Sequence, residues 1–223
     1  MARMSRVVGV GLPHHVTQRG NRRMPTFFSS DDYRTYLSIL SEWCQKTGVE
    51  IWAYCLMPNH VHLIAVPSQK NALARGIGET HRRYSRMVNF REGWKGFLWQ
   101  DRFHSCLLDQ AHLHAAVRYV ELNPVTAGLV QDPFSYPWSS AAAHLQGIDN
   151  HVVKVSPMLE FVAVDWREFL RHEPSQDFFS RIRLHSRTGR PLGNESFLSE
   201  VERLVGKSLR PGRPGPKPSR ERG

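Results

Sequence analysis

The sequence contains few cysteines and no long apolar segment. Its three cysteines, Cys44, Cys55 and Cys106, form neither a CxxC pair nor the spacing of a zinc finger, so we expect reduced and mostly buried thiols. Its apolar runs are much shorter than the ~20 residues that a membrane helix needs, and residues 1–6 lack the apolar stretch of a signal peptide. These absences exclude a disulfide-stabilised scaffold and predict a cytoplasmic protein without a membrane span.

Internal repeats are absent too, and acidic residues are scarce relative to basic ones. The 223 residues, of which 40% are hydrophobic and 22% charged, suit one principal folded domain with an appendage. Thirty basic against 20 acidic side chains give a net charge of +10, and residues 181–223 alone carry 11 basic and four acidic side chains. Such an excess is typical of a protein that binds a polyanion, although a basic tail that serves only solubility would give the same charge.

The pattern of apolar residues predicts four strands and two helices in the order β-α-β-β-α-β. The expected strands cover residues 16–19, 49–56, 60–66 and 102–108, and the expected helices cover residues 30–48 and 71–89. Ser30 is the expected N-cap of the first helix. The turn residues Met57-Pro58-Asn59 should join the second and third strands as a hairpin. This order is that of the ferredoxin-like split βαβ fold, an α+β architecture whose antiparallel sheet carries two helices on one face.

The rest of the chain is predicted to be helical before it ends in a biased segment. Further helices are expected over residues 112–129, with a kink at Asn123-Pro124, and over residues 136–147, 158–172, 175–187 and 196–205. Residues 210–223 are basic and rich in proline and glycine, so we expect them to be disordered when free. We therefore divide the chain into a principal domain (1–145), a helical C-terminal appendage (146–209) and a basic tail (210–223).

Two pairs of polar residues stand at spacings that suit chemistry. His60 and His62 lie two residues apart on one expected strand. Because successive side chains point to opposite faces, both imidazoles are on the same face, where they can bind a divalent ion. Tyr119 and Asn123 lie four residues apart and therefore share one face of a helix, where Tyr119 can attack as a nucleophile and Asn123 can bind metal. Each pair also has a simpler interpretation, namely histidines that only pack or form hydrogen bonds, and an ordinary helical aromatic followed by a stop signal.

Five segments of this sequence resemble those of the REP-associated tyrosine transposases, which are single-tyrosine, IS200-like members of the HUH endonuclease group. The segments are HHVTQRGNRR (14–23), MPNHVHLI (57–64), LWQDRF (98–103), YVELNPV (119–125) and YPWSS (136–140). They stand in the family's order and together cover residues 9 to about 145. Thr126 departs from the family pattern, which has arginine at that position.

The resemblance implies a metal-dependent enzyme that cleaves and rejoins single-stranded DNA at repeated extragenic palindromes folded as hairpins. His60, His62 and Asn123 would hold Mg²⁺ or Mn²⁺, and Tyr119 would attack the scissile phosphate to give a 5′-phosphotyrosine intermediate. The catalytic domain would lie in residues 1–145 of a bacterial, nucleoid-associated protein that acts as a monomer or a homodimer.

Several basic and aromatic residues are candidates for DNA contact. The candidate phosphate contacts are Arg19, Arg22 and Arg23 beside the first strand and Arg82, Arg83 and Arg86 on the second helix. Arg213 lies in a Gly-Arg-Pro segment that resembles the centre of an AT-hook, which inserts arginine into an A·T-rich minor groove. Trp94 and Trp99 are candidates for stacking on unpaired bases. The alternatives are a solvated basic face, non-specific attraction by the tail, and core tryptophans.

Three other functions compete with the transposase. A stand-alone HUH nuclease or relaxase would use the same site, but 223 residues without a helicase domain disfavour a large conjugative relaxase. A catalytically silent, transposase-derived DNA-binding regulator is the main alternative, although intact His60, His62 and Tyr119 favour an enzyme. A metal hydrolase of small molecules explains neither the basic charge nor Tyr119.

Overall fold

One four-stranded antiparallel sheet organises the chain. The computed structural model describes residues 6–210, and its sheet has the strand order β2-β3-β1-β4. The strands are β1 His14–Arg19, β2 Val49–Met57, β3 His60–Pro67 and β4 His104–Leu107. Helix α1 (Ser30–Thr47) joins β1 to β2, and helix α2 (Ala72–Glu92) joins β3 to β4. The predicted β-α-β-β-α-β order, the β2–β3 hairpin and the ferredoxin-like α+β fold are confirmed.

The first helix starts with a capping box. The Ser29 hydroxyl accepts a hydrogen bond from the backbone N–H of Asp32, and the Asp32 carboxylate accepts one from the backbone N–H of Ser29. The N-cap is therefore Ser29, and the prediction of Ser30 was wrong by one residue, because only Ser29 has the acidic residue three positions later. Gly48 ends the helix in the left-handed conformation, with φ of +69°.

Both faces of the sheet are covered, and each has its own core. Val16, Val61 and Leu63 point toward α1 and α2 in the first core. Because side chains alternate along a strand, Ile64 and Cys106 point to the other face, where they join the second core. The two-helix face is as predicted, and the opposite face is covered by helices from the C-terminal half of the chain. Cys44, Cys55 and Cys106 are free, buried thiols, as expected.

Seven α-helices follow the last strand in the described part of the chain. They are α3 Gln110–Glu121, α4 Asn123–Thr126, α5 Ala141–Gln146, α6 Ser156–Phe161, α7 Trp166–Arg171, α8 Gln176–Thr188 and α9 Glu195–Val205. The predicted break at Asn123-Pro124 divides α3 from α4. The predicted helix over 158–172 is two short helices, because Asp165 caps a new helix within that range. None of the helices over residues 6–210 has the length and apolarity that crossing a bilayer requires.

The second core crosses the expected boundary at residue 145. It contains Cys55 and Val117 from the earlier part of the chain together with Trp166, Phe169 and Ile182 from the later part. The C-terminal helices and one face of the sheet therefore share the second core. Residues 211–223, and with them Arg213 and almost all of the basic tail, lie outside the described residues.

Candidate active site

The hairpin strand β3 places two histidines on the face of the sheet opposite α1 and α2. Val61 and Leu63 are buried in the first core, so His60 and His62 on either side of Val61 face the other way. Their ring centroids lie 4.9 Å apart, with the rings nearly perpendicular. The strand thus brings two imidazoles side by side at one end of the sheet.

Helix α3 brings Tyr119 to these histidines. The Tyr119 ring lies edge-on to the His62 ring, with 5.2 Å between centroids, and the side chain is 8% exposed. Asn123 follows one turn later, and its Nδ2 donates to the backbone carbonyl of Tyr119 at 3.4 Å. Leu122 keeps a helical conformation between α3 and α4, so Asn123 stays on the same face as Tyr119 in spite of the break.

One cleft of about 720 Å³ collects these side chains. It is lined by His60, His62, Tyr119 and Asn123, and Thr126 lies at the same wall. Arg19 and Arg23, two of the candidate phosphate contacts, also line it. The four residues singled out for chemistry therefore lie in one cavity, although they come from two separate stretches of sequence.

The other candidate DNA contacts within residues 6–210 do not line this cleft. Arg82, Arg83 and Arg86 line a separate depression on α2, where Glu79 forms ion pairs with Arg82 at 2.5 Å and with Arg83 at 3.7 Å. Arg22 is absent from the cleft lining and sits in a short 3₁₀ turn with φ of +52°. Arg213 lies outside the described residues.

The two tryptophans differ in their exposure. Trp99 is 7% exposed and packs against His81 and Tyr84, so the core interpretation holds and stacking of Trp99 on DNA bases was the wrong alternative. Trp94 is 43% exposed and meets Phe28 edge-on, with 5.6 Å between ring centroids.

Several cleft residues were not predicted from the sequence as parts of the site. They are His15, Thr17 and Gln18 on β1, Gln100 and His104 around β4, and Ile182, Arg183, Ser186 and Arg187 on α8. His15 lies within the conspicuous His14-His15 pair, and alternation along β1 puts it on the same face as Thr17. Arg183 and Arg187 are four residues apart and share one face of α8. These signals exist in the sequence, but nothing local connects α8 to the hairpin.

Burial keeps the imidazoles of His15, His60 and His62 neutral. It lowers the pKa of His60 to about 4, with a smaller contribution from the charge of Arg19. Burial lowers the pKa of His15 to about 3, and it holds the pKa of His62 well below its usual value together with the neighbouring imidazoles and arginines. Neutral imidazole is the form that binds metal ions, because one of its two ring nitrogens carries a free lone pair.

Hydrogen bonds define which nitrogen of His60 carries that lone pair. The side-chain Nδ2 of Asn59 donates to the carbonyl of Arg23 at 2.9 Å, so Oδ1 of Asn59 faces His60 and accepts from Nδ1 at 2.6 Å. Nε2 of His60 is then the lone-pair nitrogen. Nε2 of His62 is buried, and within residues 6–210 it meets no hydrogen-bond partner.

The candidate metal centre needs the side-chain amide oxygen of Asn123 as its third ligand, beside His60 and His62. Across residues 6–210, no three His, Cys, Asp or Glu side chains are grouped so that they could hold an ion. The set in the cleft is two imidazoles and the amide of Asn123. It offers two neutral nitrogen donors and one oxygen donor, and it carries no negative charge of its own.

A match to a family model shows the protein family of this chain. Residues 10–123 match the family described as IS200-like transposases. The chain belongs to this family. The matched region contains β1 to β4, α1 to α3 and Asn123, so α5 to α9 lie beyond it.

One relative supports the resemblance to REP-associated tyrosine transposases, and one solved structure has a similar fold. A Haemophilus influenzae protein assigned to that group is 25% identical over 124 residues, which are 51% of this chain and 70% of the relative. The solved structure of a REP-associated tyrosine transposase bound to a REP hairpin superimposes with a TM-score of 0.54 and 21% identity, over 69% of this chain and 92% of that one. The second similarity concerns the fold alone.

Proposed function

We propose that this IS200-like transposase cleaves and rejoins single-stranded DNA at REP-type hairpins through a 5′-phosphotyrosine intermediate. The observation that carries the proposal is the convergence of Tyr119, His60, His62 and Asn123 in one cleft. The proposal includes a cytoplasmic, nucleoid-associated protein that acts as a monomer or a homodimer.

Tyr119 is the proposed nucleophile. Attack of its hydroxyl oxygen on the scissile phosphorus forms an O–P bond and breaks the bond to the 3′ oxygen. The phenol loses its proton, and the departing 3′ oxygen takes one up as a hydroxyl. In the reverse sense, a 3′-hydroxyl that attacks the phosphotyrosine rejoins the strand and regenerates Tyr119, so the chemistry conserves the bond energy and needs no ATP.

His60, His62 and Asn123 fit a divalent cation, with Mg²⁺ and Mn²⁺ as the proposed ions. Both imidazoles are neutral, and the buried Nε2 of His62 lacks a partner among the described residues. When bound, such an ion supplies positive charge to the non-bridging oxygens of a phosphate. Asn123 in place of a carboxylate leaves the site less negative, which weakens its hold on the ion and reduces repulsion of the phosphate.

Arginines from two parts of the chain face the same cleft. Arg19 and Arg23 come from the β1 end, and Arg183 and Arg187 come from α8. We propose that they contact DNA phosphates next to the scissile one. Thr126 also lines the cleft, at a position where the family pattern has arginine. In this proposal, Arg183 and Arg187 of α8 supply positive charge to a cleft that lacks the arginine of the family pattern.

The arginines of α2 and the tail belong to the proposal as outer contacts. Arg82, Arg83, Arg86 and Arg22 would meet phosphates of the hairpin away from the cleft, and Arg213 would enter a minor groove. Partial pairing of Arg82 and Arg83 with Glu79 on the surface costs little to break.

Covalent trapping tests the proposed function. Purified protein is incubated with Mn²⁺ or Mg²⁺ and labelled single-stranded hairpin DNA from its own genomic flank, and denaturing gels reveal a protein–DNA adduct. We expect an adduct with the wild type and with the control variant Tyr33→Phe. This control also loses one phenol hydroxyl, but Tyr33 is on α1, which covers the opposite face of the sheet. Tyr119→Phe should give none. Tight hairpin binding without adduct or nick under either metal would instead support the DNA-binding regulator.

A further inference from the structure

A chain of three buried side chains along the cleft connects His62 on β3, through His15 on β1, to Ser186 on α8. The rings of His15 and His62 stack with centroids 5.2 Å apart and planes 11° apart. Nε2 of His15 lies 2.9 Å from Nδ1 of His62, and Nδ1 of His15 lies 2.9 Å from Oγ of Ser186. His15 is 2% exposed, His62 4% and Ser186 5%, so water does not compete for these hydrogen bonds.

The hydrogen between His15 and His62 can lie on Nε2 of His15 or on Nδ1 of His62. The two arrangements differ in whether Nε2 of His62 carries a hydrogen. If His15 donates, the neutral His62 carries its hydrogen on Nε2, where the described structure offers it no acceptor. A buried N–H group that finds no acceptor is rare in folded proteins. If His62 donates from Nδ1, its Nε2 is an unprotonated lone pair instead.

The second choice also satisfies the rest of the chain. His15 then accepts at Nε2 and donates from Nδ1 to the Ser186 hydroxyl oxygen. The Ser186 hydroxyl hydrogen stays available for Sγ of Cys106, 3.7 Å away. Each hydrogen bond then runs in the same direction, from His62 toward Cys106.

We propose that His15, held by Ser186, is a positioning residue that fixes His62 in the tautomer whose Nε2 lone pair serves the cation site. His15 acts through His62 and contributes no ligand of its own. The inference rests on the proposed function, in which His62 binds a divalent ion. It also gives α8 a part in the site, because Ser186 is a residue of α8. This helix lies beyond the residues that match the family model.

The tautomer can be measured without metal or DNA. Long-range ¹H–¹⁵N correlation spectra of the metal-free full chain distinguish protonated from unprotonated ring nitrogens, and a His62→Gln variant assigns the signals. We expect His62 to be protonated at Nδ1 in the wild type and to lose this preference in His15→Leu. Protonation of wild-type His62 at Nε2 would overturn the proposal, whatever the outcome of covalent trapping.

Cation affinity provides the second readout. Titration with Mn²⁺, followed by electron paramagnetic resonance, should give a 10–100-fold weaker affinity for His15→Leu, the usual effect of losing a partner of a metal-binding histidine. His15→Gln keeps a side-chain oxygen that can accept from Nδ1 of His62, so its affinity should stay within a few-fold of wild type.

Two serine variants on the same helix complete the test. Ser186→Ala should weaken Mn²⁺ binding less than His15→Leu, and Ser180→Ala, an identical change at an exposed position of α8, should leave it unchanged. A folded His15→Leu protein with wild-type Mn²⁺ affinity would overturn the proposal. If the wild type itself bound no Mn²⁺, the cation part of the proposed function would fail, and the tautomer spectra would still decide the role of His15.

Discussion

The carboxylate of Glu121 accepts a hydrogen bond from the indole N–H of Trp166 at 2.8 Å, deep inside the second core. The same carboxylate accepts from the Ser140 hydroxyl and lies 2.7 Å from Nδ1 of His144. Glu121 is fully buried and ends helix α3 two residues after Tyr119. Three side chains from later in the chain, two at α5 and one on α7, therefore hold the end of the helix that carries the proposed nucleophile.

Removal of the Glu121 carboxylate should destabilise the protein strongly. In Glu121→Ala, the buried donors of Trp166 and His144 lose their acceptor, and each such loss costs about 1–3 kcal/mol. We expect a decrease of about 3 kcal/mol in the free energy of unfolding, measured by urea denaturation. Glu168→Ala is the control, because Glu168 forms surface ion pairs with Arg171 and His172, and its loss should change stability by less than about 1 kcal/mol. Equal stability of both variants would contradict a structural role for the buried carboxylate.

The arginines of α8 offer a test of the proposed DNA path. Each phosphate contact with single-stranded DNA adds about 0.7 to the slope of log affinity against log salt. We expect Arg183→Gln and Arg187→Gln each to weaken hairpin binding and to reduce this slope, measured by fluorescence anisotropy at several salt concentrations.

Arg181→Gln is the matched control for these variants. It removes the same charge from α8, but Arg181 is absent from the cleft lining and lies 4.0 Å from Asp177. Its effect should be clearly smaller. An equal loss in all three variants would show that only the net charge of α8 matters.

Local periodicity explains which parts of the fold and site were predictable. Alternation along a strand put His60 and His62 on one face, and helical spacing put Tyr119 and Asn123 on one face, since both rules depend only on neighbours in sequence. Turn chemistry likewise predicted the β2–β3 hairpin. These pieces needed no knowledge of tertiary structure.

The rest of the site depends on contacts that no local rule contains. His15 and Ser186 are 171 residues apart, and only the packing of α8 on the sheet brings them together. The pattern of α8 shows an amphipathic helix without naming the surface it covers. Trp99 illustrates the same limit, because its burial follows from neighbours on α1 and α2.

The ion pair between α1 and α2 should make stability sensitive to acid. Burial alone would raise the pKa of Asp32, but hydrogen bonds from Arg91 and from two backbone N–H groups outweigh it and lower the pKa below its usual value. A lowered folded-state pKa gives stability that is present above about pH 4 and is lost as the pH falls further. Asp32→Asn should therefore be about 1–3 kcal/mol less stable than wild type at pH 7 in urea denaturation, and the difference should shrink below pH 4. Asp31→Asn, at an exposed pair with Arg34, is the control and should match wild type.

Buried histidines outside the cleft should weaken the fold at mildly acidic pH. Nε2 of His81 lies 2.9 Å from the hydroxyl oxygen of Tyr36, and burial lowers the pKa of His81 to about 3. An unfolded histidine takes up a proton near pH 6.5, so the unfolded state binds more protons than the folded one between pH 6.5 and 3. Stability is then complete above pH 6.5 and falls by up to about 1.4 kcal/mol per pH unit for each such histidine as the pH decreases.

Replacement of His81 isolates this contribution. Urea denaturation between pH 7 and pH 4.5 should give a shallower loss of stability for His81→Gln than for wild type, by up to about 1.4 kcal/mol per pH unit. His151→Gln, at an exposed histidine, should follow the wild-type curve. If the His81→Gln curve ran parallel to wild type over this range, the folded protein would take up the His81 proton as readily as the unfolded chain does, and burial of His81 would not explain the acid sensitivity.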